Sequence, residues 1–263
     1  MSDPEWIAPG SLEEALALRA ERGDEATVLA GGTFLGILMN QGFLSPTAFL
    51  SLGAVSELRR LAVVDGELRL GAMVTHRRVE REAAGWPVLA RAFGLVASPR
   101  VRNVATVGGV LADADYASDP PAMLAALDAR VLLRSPSVER EVSVAELILG
   151  YYETCIRPDE LLVEVRVPPE PGRATYRKFR SRSSEDRPCA AVAAVNGENG
   201  LRVVVGAVAE RPQDLPELCD GSPEEVAAGY AERIEPLSDS RGSARYRRRV
   251  IAAEVRRAVE EVS

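Results

Sequence analysis

At 263 residues, with 46% hydrophobic and 27% charged residues, the chain has the composition of a globular protein of one large or two modest domains. A net charge of -7 argues against nucleic acid or an anionic membrane as main partner, and no apolar run reaches the length of a membrane span. Three scattered cysteines without a CxxC, and the lone histidine His76, leave no disulfide framework, no histidine-rich metal site and no Ser-His-Asp triad unless His76 serves. The acidic N-terminus carries no basic-then-apolar signal, so a cytoplasmic protein is expected.

In chain order, Ser11-Leu12-Glu13-Glu14 reads as a capping box opening a helix over 11–22, with Gly23 as its stop. A buried strand over 27–30 runs into Gly31-Gly32, followed by a short helix over 34–41 that Gly42 ends. Asp65-Gly66 between two apolar runs gives a hairpin. Helices follow over 87–97, stopped by Pro99, and over 120–127, opened by prolines. Strands are expected over 130–133, 140–142 and 161–167, with a second capping box over 143–146. The run Pro168-Pro169-Glu170-Pro171-Gly172 is the best domain boundary. Beyond it, strands over 175–179, 190–195 and 201–208 precede a helix capped at Ser222 and a last helix over 243–262. On that helix, Arg245 to Arg249 read as one solvated face.

Two glycine pairs, Gly31-Gly32 and Gly108-Gly109, each follow a short apolar stretch and sit beside a threonine, Thr33 and Thr106. Such turns present backbone N–H groups with no Cβ in the way, which suits phosphate oxygens. Two of them far apart suit a long cofactor with two phosphates. Neither is G-x-G-x-x-G nor a P-loop. Asp113, Asp115 and Asp119 follow the second pair, and Asp119 is assigned to accept from ribose or ribityl hydroxyls. Tyr176 to Arg182 alternates cations on a strand. It reads first as a solvated face, and secondly as a source of charge beside a redox ring. His76 reads as a helix-capping or surface residue. No activated nucleophile stands out.

The segments Leu29-Ala30-Gly31-Gly32-Thr33-x-Leu35 and Arg102-Asn103-Val104-Ala105-Thr106-Val107-Gly108-Gly109 resemble the two FAD-binding signatures of molybdenum hydroxylase flavoprotein subunits, the medium subunits of the carbon monoxide dehydrogenase and xanthine dehydrogenase family. Four further segments, at 124–129, 150–154, 158–162 and 243–248, match in order. The resemblance implies an α+β fold: a two-subdomain FAD-binding domain of the p-cresol methylhydroxylase/vanillyl-alcohol oxidase type over 1–169 (about 1–55 and 56–169), then a small α+β domain over 173–263. It implies an oxidoreductase subunit that takes electrons from [2Fe–2S] clusters on a small subunit and passes them through FAD to an external acceptor. Substrate would be hydroxylated at molybdopterin on a large subunit, in a dimer of heterotrimers. FAD would contact Val28, Leu29, Ala30, Gly31, Gly32, Thr33, Phe34 and Leu35 on the first loop, and Thr106, Gly108, Gly109, Val110 and Asp113 on the second. Asp119 would hold its polyol, Leu162 would pack near the flavin ring, and Lys178 or Arg180 would supply a cation.

Three residues depart from the family pattern. Phe34 stands where a small polar or acidic residue is usual, Val110 replaces asparagine, and Tyr116 replaces proline. Loss of the asparagine removes a hydrogen-bond partner worth about 0.5–1.5 kcal/mol. Two other readings are therefore open on the sequence: a stand-alone flavin oxidoreductase of the same fold, and a structural or assembly subunit with weakened FAD binding.

Overall fold

The computed structural model describes residues 3–263. Its first layer is a small parallel sheet of β1 (Glu5–Ile7), β2 (Thr27–Leu29) and β3 (Ala48–Ser51), connected by α1 (Leu12–Arg22) and α2 (Leu35–Asn40), in the order β1-β3-β2. Ser11 Oγ accepts from the Glu14 N–H at 3.2 Å, and the Glu14 carboxylate returns to the N–H of Gly10 at 2.7 Å. The reciprocal box thus reaches one residue further out than the sequence pattern implies.

β4 (Leu61–Val64) and β5 (Glu67–Gly71) form the expected hairpin, with Asp65 and Gly66 at φ 53° and 84°. The chain then climbs through α3 (His76–Glu82), α4 (Pro87–Gly94), α5 (Pro99–Arg102), α6 (Val107–Ala112) and α7 (Pro120–Ala126). Pro99 opens α5 rather than ending the preceding helix, which already stops at Gly94; an N1 proline loses no helical hydrogen bond. Next come β6 (Arg130–Arg134), β7 (Glu139–Ser143), α8 (Val144–Leu147), β8 (Ile148–Gly150), β9 (Glu153–Thr154) and β10 (Leu161–Val167). β10 inserts centrally, giving the antiparallel order β4-β5-β10-β6-β7. A bulge between Leu162 and Glu164 interrupts its pairing with β6. There the Val163 carbonyl accepts from Ala72 N–H at 2.9 Å, and the Ala72 carbonyl accepts from Gly108 N–H at 2.8 Å. This relay pins the second glycine loop to the sheet.

The last sheet runs β11 (Arg173–Phe179), β12 (Ala190–Gly197), β13 (Gly200–Gly206) and β14 (Gln213–Asp214), all antiparallel, with α9 (Pro223–Arg233) and α10 (Ala244–Val262) on one side. β12 is apolar on both faces. Ala190, Val192 and Ala194 pack with Tyr230 and Val255, whereas Ala191, Ala193 and Val195 share a core with Leu124 and Val165. The 168–172 segment between β10 and β11 is tied down. The Trp86 indole donates to the Pro168 carbonyl at 2.6 Å, and the Glu170 carboxylate accepts from Val88 and Leu89 N–H at 3.1 Å, capping α4 from outside its own sequence.

Two expected solvated faces each hold a buried exception: Arg245, Arg248 and Arg249 are exposed as expected, and Arg247 is not. Arg247 is fully buried on α10, donating to the carbonyls of Cys189 and Ala207 and to Asp239. Those carbonyls sit where strands end with nothing else to pair, so a long cation can satisfy several at once. On β11, Tyr176 and the Lys178 side chain are buried as well, because that face closes onto α4 and onto Asp119 at the start of α7.

Candidate functional site

The two glycine loops meet. A Cβ on Gly31 would stand 2.0 Å from the Val104 carbonyl oxygen, and one on Gly108 would stand 2.6 Å from the Ala72 Cβ. Both residues are glycine first because backbone crosses backbone there. The loops differ in what they offer a ligand. In the second, Val107 N–H donates to Val74 O, Gly108 to Ala72 O, and Gly109 to Thr106 Oγ1 at 3.1 Å. Its N–H groups are spent inside the protein, contrary to the expectation of a second phosphate cradle. In the first, the N–H groups of Gly31, Gly32, Thr33 and Phe34 have no acceptor among the described residues. Gly32, at φ 67°, curls this run into a concave nest of donors.

The nest opens on a cavity of about 430 Å³ whose walls include residues of the three larger sheets. Every residue expected in the site lines it except Leu29 and Arg180. Leu29 turns under the loop, its side chain below Gly32, and Arg180 bonds the carbonyl of Ser184. Of the two candidate cations, Lys178 is therefore the one in the cavity. Its Nζ donates to Asp119 Oδ2 and to Leu95 O, both at 2.8 Å. Tyr176 Oη donates to the other Asp119 oxygen at 2.8 Å, so both carboxylate oxygens already have protein partners. Burial pushes Asp119 up and Lys178 down, and their mutual attraction opposes both shifts.

Phe34 does not fill the nest. Its ring stacks on Tyr152 at 5.6 Å and 7°, and the Arg187 guanidinium lies 5.9 Å from its centroid. Arg187 also pairs with Asp115 at 2.6 Å. Tyr116 donates to Asp239 at 3.0 Å and lies under Arg241. Desolvation would raise Asp239, but hydrogen bonds from Arg247 and Arg241 hold its carboxyl well below the usual range. Burial, then the neighbouring Asp115, raises Asp113 to about 7.

Sequence reasoning missed Arg187 and the apolar wall of Val96, Ala97, Val101 and Leu161. Nothing in local pattern marks them, since they reach the cavity from three separate segments. It also misplaced His76, which lines the cavity and is 1% exposed, its backbone N–H held by Ala105 O.

Residues 2–170 match the family described as the FAD binding domain in molybdopterin dehydrogenase. The chain is 32% identical to the 6-hydroxypseudooxynicotine dehydrogenase complex subunit alpha of Paenarthrobacter nicotinovorans, over 96% of this chain and 92% of that one. It is 32% identical to the carbon monoxide dehydrogenase medium chain of Afipia carboxidovorans, over 97% and 95%. The solved carbon monoxide dehydrogenase of Hydrogenophaga pseudoflava that lacks the Mo-pyranopterin moiety contains a chain that superposes with a TM-score of 0.93 at 29% identity, covering 99% of this chain and 97% of that one. Open nest, shared α+β fold and end-to-end similarity agree: the chain belongs to the FAD-binding subunits of the molybdopterin dehydrogenases, a family of oxidoreductases.

Proposed function

We propose that the chain is the electron-relaying FAD subunit of a heteromeric complex. It would receive electrons from [2Fe–2S] clusters on a small subunit, after substrate oxidation at molybdopterin on a large one, and pass them to an external acceptor. Relatives named as a complex subunit and a medium chain support such partners, and two heterotrimers would pair. The observation that carries the reading is the open row of N–H groups from Gly31 to Phe34, facing a cavity of the size that small-molecule and cofactor sites occupy.

The residues fit the cofactor. The nest would hold the diphosphate through backbone donors, which Phe34 supplies as well as any other residue would. Leu161, Leu162, Val96 and Val101 offer apolar walls to a flat ring. Asp113, titrating near 7, removes part of the negative charge that a diphosphate would meet. Bound FAD supplies a carrier of one or two electrons. The chain's own residues bind it, orient it and keep Lys178 fixed beside it.

The test is a pull-down from the native host with a visible spectrum of the eluate. Flavin absorbance together with a large and a small partner subunit is expected. If the isolated chain incubated with FAD gives neither bound-flavin absorbance nor fluorescence quenching, the reading fails.

A further inference from the structure

His76 is the first residue of α3, and its ring stands edge-on to Phe93 with centroids 4.9 Å apart. Its Nε2 lies 3.2 Å from the Thr106 carbonyl oxygen. A carbonyl only accepts, so Nε2 carries the proton and Nδ1 is left as a lone-pair acceptor. That Nδ1 is buried and has no hydrogen-bond partner among the described residues. Desolvation lowers the imidazole to about 4, and nearby Arg102 adds to that, so the ring is neutral near pH 7. A buried acceptor left unpaired costs about 1–3 kcal/mol. His76 lines the cavity, as do the apolar Met73, Val101 and Ala105.

We infer that His76 is a ligand-binding residue: its Nδ1 accepts a hydrogen bond from a neutral N–H or O–H of the bound cofactor, while Nε2–H anchors the ring to the second glycine loop. This rests on the FAD reading, since that cofactor carries both ring N–H and sugar hydroxyl donors. The two nitrogens have separate tasks. One locks the loop that crosses Gly31, and the other reads the ligand held against it.

His76 is the single histidine, so its ring nitrogens give unambiguous signals in a long-range 1H–15N spectrum of the full chain. Without cofactor, the Nε2–H tautomer is expected. Added FAD should displace the Nδ1 resonance upfield, as accepting a hydrogen bond does, and leave Nε2 nearly unmoved. Two variants separate the tasks. His76→Gln places an amide donor near the Nε2 position and loses the Nδ1 acceptor; FAD should bind about tenfold more weakly with an unchanged melting temperature. His76→Asn keeps an acceptor near Nδ1 and loses the Thr106 bond; the melt should fall while affinity is better retained. An unmoved Nδ1 resonance on saturation with FAD, or a Gln variant that binds as wild type, overturns the inference and assigns Nδ1 to a buried water. No binding of FAD by the wild type would instead overturn the FAD reading.

Discussion

Gly31 leaves no room for a methyl group, because the carbonyl of Val104 occupies its place. Gly31→Ala must push the glycine loops apart, at a cost of about 1–3 kcal/mol for forced overpacking. FAD affinity should drop at least about tenfold, read by flavin fluorescence quenching. Wild-type affinity in that variant would mean that loop contact does not shape the nest. Lys178 makes a second test. Lys178→Met leaves the Asp119 carboxylate buried without its cation, which costs about 3–5 kcal/mol. Adding Asp119→Asn should recover most of that loss in urea melts, and a strictly additive double variant would show that the two groups are not coupled. Asp113 predicts a pH effect. Its folded value of about 7 exceeds its ordinary 3.8, so the folded chain binds the extra proton between them and stability falls as pH rises through that window. Asp113→Asn should flatten the fall, gaining on the order of 1–2 kcal/mol above pH 7 after allowance for partial exposure, and nothing near pH 3. Parallel melting curves of the two proteins from acid to neutral pH would contradict this.

Among elements, those with local punctuation were legible. The Asp65-Gly66 hairpin, the boxes at Ser143 and Ser222, and the helix opened by Pro120 follow from spacing and turn chemistry within a few residues. What the sequence hid depends on partners far along the chain. Arg247 looks like its neighbours Arg245 and Arg248 until the ends of β12 and β13 supply carbonyls for it. Lys178 looks like a surface cation until α7 delivers Asp119. The start of α4 is another case, for Trp86 gives it no side-chain cap and Glu170 does so from 81 to 82 residues away. Glu170→Ala should cost about 1 kcal/mol, as loss of a cap does, measured as a lower denaturation midpoint. An unchanged midpoint would leave the Trp86–Pro168 contact as the sole tie of this segment.

At the scale of the whole molecule, the 168–172 segment is proposed as a boundary in the chain that is not a boundary in the core. β12 belongs to two hydrophobic clusters, one under α9 and α10 and one running to the second sheet. A chain cut by an inserted protease site at Pro171-Gly172 should therefore elute as one particle and separate only in denaturant; halves that part in native buffer would refute a continuous core. The same integration explains why the two glycine pairs were legible as a motif while the difference between them was not. Which N–H groups stay open depends on Val74 and Ala72, neighbours that no local pattern announces. The crossing of Gly31 and Val104 also bears on descent. A descendant of this chain that had abandoned its cofactor would still be obliged to keep Gly31 and Gly108, because any side chain there collides with the protein itself. Only the residues that touch nothing but the ligand would be released to drift, so the memory of a lost cofactor would outlive the cofactor in the glycines.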